Sequence, residues 1–370
     1  MFKRQNLFLA LLLAAVAVTL SAQPAPNPTR TLVRAGHLLD VKTGKLLDSQ
    51  TLVVVGDTIQ SIGPSAQLPA QPGDTVIDLG SLTVLPGLID VHTHLTMGTN
   101  FDPYHELQET DAKEETDAKE AINGVVNART TLLAGITSVR NVAAGGYTDV
   151  DLRDAVNSGQ IIGPHMQVSG PALSITGGHC DNDLLPFKYH ATGDGVADGI
   201  AAVQHQVRQN IKYGADVIKI CATGGVLSKG DDPQAAQYTL EEMRAIVADA
   251  HRLGRRVAAH AHGAQGILWA SMAGVDSVEH GSYINDEGIA ELKKNGTYLV
   301  PTLYLEDWMV DNGKLPPYSH KKLVEVSAVA KGNIKRAMDA GVKIAMGTDA
   351  AVYPHGLNAH ELDVYVNQLG

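Results

Sequence analysis

His92-Thr93-His94 closes the run Leu85-Pro86-Gly87-Leu88-Ile89-Asp90-Val91, a turn followed by a short apolar strand. Side chains alternate faces along a strand, so both imidazoles project to one side and can chelate a single metal ion. Comparable groups follow further along the chain. Lys219 interrupts the apolar stretch Ala215-Asp216-Val217-Ile218-Lys219-Ile220, and His260 and His262 end Val257-Ala258-Ala259-His260-Ala261-His262. His280 ends Asp276-Ser277-Val278-Glu279-His280, and Asp349 ends Ile344-Ala345-Met346-Gly347-Thr348-Asp349. Singly, each has a plain structural role: a core histidine, a lysine snorkelling along its stem, an aspartate capping a loop. Together, at the same ends of five strands, they read as a metal-ligand set.

The elements that must position this set are legible as strand, loop and helix in repetition from Leu88 onward. Strands are expected at 88–94, 136–142, 165–170, 215–221, 256–261, 275–280, 297–302 and 342–348. Helices fall between most of them. Leu240, Met243, Ile246, Val247, Ala250 and Leu253 form an apolar stripe at helical spacing. This predicts an α/β fold, a (β/α)₈ TIM-like barrel whose functional residues sit at the C-terminal strand ends. A doubly wound open sheet is the alternative, but no Gly-x-Gly-x-x-Gly follows the first strand. Residues 23–85, a Pro/Asn linker and short strands with turns such as Gly56-Asp57, predict a small N-terminal β-sandwich domain. The barrel domain spans 86–370 and ends inside its last helix, so its C-terminal closing part is expected to be missing. Thr110-Asp111-Ala112-Lys113-Glu114 recurs at Thr116–Glu120 and reads as a duplicated, solvated helix surface.

Composition narrows the partners. The formal net charge is −11, and −13 once Met1–Ala22, which carries Lys3 and Arg4 and no acid, is removed. With no basic cluster, nucleic acid is not an expected partner. Lys3 and Arg4, the apolar run Leu7–Leu20 and the small pair Ser21-Ala22 read as a secretory signal peptide over residues 1–22. The run falls short of the roughly 20 residues a membrane-spanning helix needs, so no membrane partner is expected after cleavage, and the location is periplasmic or secreted. The two cysteines, Cys180 and Cys221, are no disulfide framework; whether they pair is open.

The motifs Pro86–His94, Gly214–Ile220, Ala259-His260-Ala261-His262-Gly263, Glu279-His280-Gly281 and Gly347-Thr348-Asp349 jointly resemble the amidohydrolase superfamily. Thr176-Gly177-Gly178-His179 and Cys221-Ala222-Thr223-Gly224-Gly225-Val226 resemble its imidazolonepropionase-like branch, with Xaa-Pro and Xaa-Lys/Arg dipeptidases and ochratoxin-hydrolysing enzymes. The resemblance implies two divalent metal ions, zinc by default. His92, His94 and Asp349 would hold one and His260 and His280 the other, bridged by Lys219 carboxylated with carbon dioxide. A buried ammonium drops its pKa, and the neutral amine can add carbon dioxide. Asp349 would shuttle the proton from the attacking water to the leaving nitrogen. The implied activity is hydrolysis of a carbon–nitrogen amide bond in a small molecule, a dipeptide or N-acyl amino acid with a free carboxylate. His179 would face the substrate, Tyr238 lies on a strand-end loop where it could do so too, and His262 would either face the substrate or stand behind the ligands; a homo-oligomer is expected. Tyr238 can equally pack against the helix beginning near Thr239. A mononuclear deaminase is the runner-up, but such relatives carry an acid where His262 and Gly263 stand, and no lysine at Lys219's place. An inactive binding protein on this fold is a third reading, and the retained ligand set argues against it.

Overall fold

The computed structural model describes residues 29–98, 116–181, 185, 187–312 and 315–370. The expected signal peptide and the first copy of the duplicated segment lie outside the described residues. The chain divides into two units, one ending at Pro86 and one running from Gly87 to Gly370.

In the first unit, β1 (Arg30–Asp40), β2 (Lys45–Val55), β3 (Thr58–Pro64) and β4 (Thr75–Val84) form a sheet of order β3-β2-β1-β4. β2 runs antiparallel to β1 and β3, whereas β4 is parallel to β1. Leu32, Ala35, Leu38 and Val53 are its buried apolar side chains. Among the described residues this is one four-stranded sheet; the second layer of the expected sandwich is not among them.

The second unit alternates strand and helix. Its strands are β5 (Leu88–Thr93), β6 (Ile136–Asn141), β7 (His165–Val168), β8 (Val217–Cys221), β9 (Arg256–Ala261), β10 (Ser277–His280) and β11 (Tyr298–Val300). Between and after them lie α1 (Asp117–Leu133), α2 (Thr148–Asn157), α3 (Ile200–Lys212), α4 (Leu240–Arg252), α5 (Ala264–Ala273), α6 (Asp286–Asn295), α7 (Leu303–Asn312), α8 (Pro317–Asp339) and α9 (His360–Val364). The strands pair in parallel as β5-β6-β7 and β8-β9-β10-β11.

Backbone bridges join the two sheets at both seams. On one side the Leu173 amide donates to the Lys219 carbonyl at 2.8 Å, and the Cys221 amide donates to Leu173 at 2.9 Å. On the other, residues 343–350 thread between β11 and β5. The Leu299 amide reaches the Lys343 carbonyl at 2.8 Å, Val91 reaches Met346 at 2.9 Å, and His94 reaches Ala350 at 2.9 Å. The ring therefore closes, and the stretch expected as an eighth strand occupies the eighth place as bridged backbone rather than a regular strand. Gly347 is what lets it fit: a Cβ there would collide with Val300 and the Cβ of His92.

Helix α4 shows why the outer ring forms where the sequence places it. Thr239 accepts from the Glu242 amide while the Glu242 carboxylate accepts from the Thr239 amide, a capping box at the start of the apolar stripe. Met243, Ile246 and Val247 then join Ile218, Ile220, Val257, Ala259 and Val278 in one buried core. Each such valine, isoleucine or methionine side chain contributes roughly 1.5–3 kcal/mol on burial. A cavity of about 600 Å³ lies at the N-terminal strand ends, beside Ile89, His165, Arg256 and Tyr298. Barrel enzymes work at the opposite face, where the histidines are. Among the described residues no helix is long and apolar enough to cross a membrane.

Candidate active site

The C-terminal strand ends enclose a second cavity, of about 340 Å³, lined by His92, His94, His179, Lys219, His260, His262, His280 and Asp349. Two ligand groups face it. His92, His94 and Asp349 bring one donor atom each within 4.8 Å of the others, as do His260, His262 and His280. The groups adjoin, the rings of His92 and His280 lying 5.1 Å apart.

Hydrogen bonds behind the ring settle which nitrogen each histidine offers. His92 Nδ1 lies 2.8 Å from Glu279 Oε2 and must donate to it, leaving Nε2 beside Asp349 Oδ1 at 3.4 Å. His260 Nε2 donates to the Gly224 carbonyl at 3.1 Å, leaving Nδ1 unclaimed among the described residues. His280 Nδ1 pairs with Thr302 Oγ1 at 2.7 Å, and His262 Nδ1 with Ser282 Oγ at 2.9 Å. His94 Nε2 meets Asp349 Oδ1 at 2.9 Å. Outer partners of this kind fix tautomer and ring direction for metal ligands.

Burial favours the neutral form of His94, His179, His260, His262 and His280. It pushes His260 and His280 well below the ordinary histidine range, each further lowered by neighbouring histidines. It takes His262 down to about 3, aided by His179. It takes His179 down to about 4 against the opposing charge of Asp231. Asp349 behaves oppositely: burial would raise it, but the His92 charge and hydrogen bonds from His92 and His94 hold it well below the usual carboxylate range. The neutral forms of His94, His260 and His280 and an ionised Asp349 are the protonation states that metal binding requires.

Lys219 is 3% exposed and its ammonium has no hydrogen-bond or ion-pair partner among the described residues. Burial lowers it to about 8, although Glu279 and Asp349 pull the other way. On β8 it shares a face with Cys221, which also lines the cavity, while Ile218 and Ile220 turn to the helices.

The backbone at the site is strained. His280, Thr302 and Asp349 have φ of 67°, 52° and 61°, a region where non-glycine residues are uncommon. Such strain persists where surrounding contacts over-determine it. Here the Asp349 amide donates to the His92 carbonyl at 2.7 Å.

Some expectations change. Tyr238 does not line the cavity: it is fully buried in the core, and its hydroxyl donates to the Ala197 carbonyl at 3.1 Å. An aromatic ring just ahead of the α4 cap is better accommodated by apolar neighbours than by an open pocket. Cys180 and Cys221 are disulfide-bonded, tying the loop of His179 to the strand of Lys219. Asn141 serves structure, accepting from the Leu95 amide at 2.6 Å to hold the turn after His94.

Sequence reading assigned no role to Glu279, Arg140 or Asp90. Glu279 is fully buried between His92, Ser277 and Arg140, whose Nη2 lies 2.8 Å away. Asp90, also fully buried, accepts from Thr348 Oγ1 at 2.5 Å and Asn358 Nδ2 at 2.8 Å, tying β5 to the closing segment. An acid within an apolar strand beside a candidate ligand was the available signal for both.

The chain matches the amidohydrolase family over residues 83–364. It is 35% identical over 361 residues to the ochratoxinase of Aspergillus niger, covering 92% of this chain and 72% of that protein. It is 28% identical over 331 residues to the imidazolonepropionase of Paracoccus denitrificans, covering 82% and 73% of the two. A crystal structure of a Xaa-Pro dipeptidase with methionine bound in the active site superposes with a TM-score of 0.84 at 35% identity, covering 92% of this chain and 84% of that one. The chain therefore belongs to the amidohydrolase family, in the branch of these relatives, and is a hydrolase of carbon–nitrogen bonds.

Proposed function

We propose that this protein hydrolyses the amide bond of dipeptides or N-acyl amino acids bearing a free carboxylate, using two divalent metal ions. The observation carrying this reading is a buried Lys219, without a hydrogen-bond or ion-pair partner among the described residues, on the same cavity as two adjoining ligand groups. An isolated buried ammonium is costly, and a carbamate on the same nitrogen would be an anionic oxygen ligand. The donor set fits such ions: His92, His94 and Asp349 would hold one, His260 and His280 the other, with carboxylated Lys219 between them. His-rich sites with oxygen bridges suit zinc, and manganese or cobalt as well.

When bound, the ions supply a water made acidic enough to ionise near neutral pH and a Lewis acid for the scissile carbonyl. The chain's own residues do the rest. Glu279 holds His92 in one tautomer. Asp349, ionised and within reach of the cavity, accepts a proton at its carboxylate and passes it to the departing nitrogen. Leu305, Met309, Leu323 and Val326 give the cavity an apolar wall that excludes water and receives a substrate side chain. His179 and His262 supply polar contacts toward the substrate. The relatives named ochratoxinase and Xaa-Pro dipeptidase support amide hydrolysis. The first 22 residues support export to a periplasm or the medium.

The test is a panel of dipeptides and N-acyl amino acids, each with its C-terminal amide counterpart, assayed on zinc-loaded protein by amino acid release. Release from the free acids, lost in Lys219→Ala and Asp349→Asn, is expected. Ammonia release without cleavage would move the protein to a deaminase.

A further inference from the structure

Beside the ligand set, the loop after β8 carries a second organised group. Ser228 Oγ lies 2.8 and 2.9 Å from the two carboxylate oxygens of Asp231 and 2.9 Å from His179 Nδ1. A hydroxyl has one proton, and an ionised carboxylate only accepts. Ser228 therefore donates to Asp231 and accepts from His179 Nδ1–H. The neutral ring so oriented and the imidazolium both carry that proton, so the direction holds for either. The ring stacks on His260 with centroids 4.1 Å apart, and at Gly225 a Cβ would overlap it. His179 Nε2 has no protein partner among the described residues, and the residue lines the cavity.

Asp231 is itself locked from across the barrel mouth. Lys322, on α8, donates to Asp231 Oδ1 at 2.7 Å, to the Gly225 carbonyl at 2.9 Å and to the Ser228 carbonyl at 2.8 Å. These three acceptors match the three ammonium protons. The Gln237 amide donates to Asp231 Oδ2 at 3.2 Å while its oxygen accepts from the His179 backbone N–H at 3.0 Å. Lys322 reaches the Gly225 and Ser228 carbonyls at 2.9 and 2.8 Å, whereas Ser228 Oγ lies 3.3 Å from the Gly225 carbonyl and closer, at 2.9 Å, to His179 Nδ1.

We propose that Asp231, acting through Ser228 and locked by Lys322, is the positioning residue that presents His179 Nε2 to a polar group of the substrate. This rests on the reading that His179 faces the substrate. Ser228→Ala and Asp231→Asn are to be compared in metal-loaded enzyme. KM for the free-acid substrates is expected to rise about tenfold, with kcat within about twofold. Neither substitution should add to the effect of His179→Ala. A readout independent of turnover is the ¹⁵N spectrum of histidine-labelled protein. The His179 Nδ1 signal should be that of a protonated nitrogen and should move in Ser228→Ala, which spares the Lys322–Asp231 pair. Wild-type KM together with unmoved His179 nitrogens overturns the proposal, as do KM effects that persist undiminished in His179→Ala. If the wild-type enzyme cleaves neither substrate class, the functional reading fails. The spectra then decide alone: unmoved nitrogens in Ser228→Ala overturn the positioning role.

Discussion

Glu279→Gln removes one negative charge from a fully buried site while keeping its shape. The carboxylate faces His92 Nδ1 at 2.8 Å, Arg140 Nη2 at 2.8 Å and Ser277 Oγ at 2.5 Å. Burial alone would raise its pKa, but the Arg140 charge and the His92 hydrogen bond outweigh it and hold the group down to about 2. A depressed carboxylate pKa adds stability above the unfolded-state value near 4.5 and loses it as pH falls toward 2. By linkage this is about 3 kcal/mol at pH 7 and about 1 kcal/mol at pH 3. The glutamine variant leaves the largely buried Arg140 guanidinium without its counter-charge, the situation in which breaking a buried pair costs about 3–5 kcal/mol. Urea unfolding of the metal-free protein at both pH values measures the gap between wild type and variant, which should narrow at low pH. Zinc titration of the same samples should show affinity weakened by roughly 10–100-fold, the usual loss when a ligand histidine's outer partner is removed. A gap under about 1 kcal/mol at pH 7 with unchanged zinc affinity would refute the role given to Glu279.

Other consequences can be checked as directly. Burial raises Glu306 to about 8, so its stabilising contribution is complete below about 4.5 and is lost as pH rises toward 8. Glu306→Gln should therefore melt higher than wild type at pH 9 and close to it at pH 4.5 by calorimetry; a pH-independent difference would contradict this. The Cys180–Cys221 bond closes a sequence separation of 41 residues. Chain entropy puts its contribution at roughly 4 kcal/mol, so reduction or Cys180→Ser should lower the melting temperature measurably, and an unchanged value would argue against the bond. Tyr238→Phe should cost about 1 kcal/mol of stability, for the hydrogen bond to Ala197, and leave KM unchanged. A raised KM at full stability would return Tyr238 to the substrate pocket.

The barrel was legible because its strands carry runs of apolar residues bounded by turns, and because the polar interruptions recur at the same strand ends. His92, His94, Lys219, His260, His280 and Asp349 line one cavity for that reason. Less was legible where three-dimensional proximity decides. Arg140 and Glu279 are 139 residues apart in sequence and meet only through barrel closure. Lys322 and Asp231 are separated by 91 residues, and nothing local to either marks the pairing. The closing segment reads as a strand by composition, yet Gly347 and the positive φ of Asp349 bend it out of regular pairing. Tyr238 shows the limit of a one-dimensional reading: a position ahead of a helix cap suits a pocket or a core equally, and burial chose the core. The paired cysteines follow the same rule, since their Cα atoms stand 6.2 Å apart only once loop and strand are folded.

The most direct test of the central claim is metal content per chain by elemental analysis, on protein produced with zinc and bicarbonate, for wild type and Lys219→Ala. The account predicts about two ions per wild-type chain, falling toward one or none in the variant. A single ion unaffected by the substitution, or none in a well-folded wild-type protein, would contradict it.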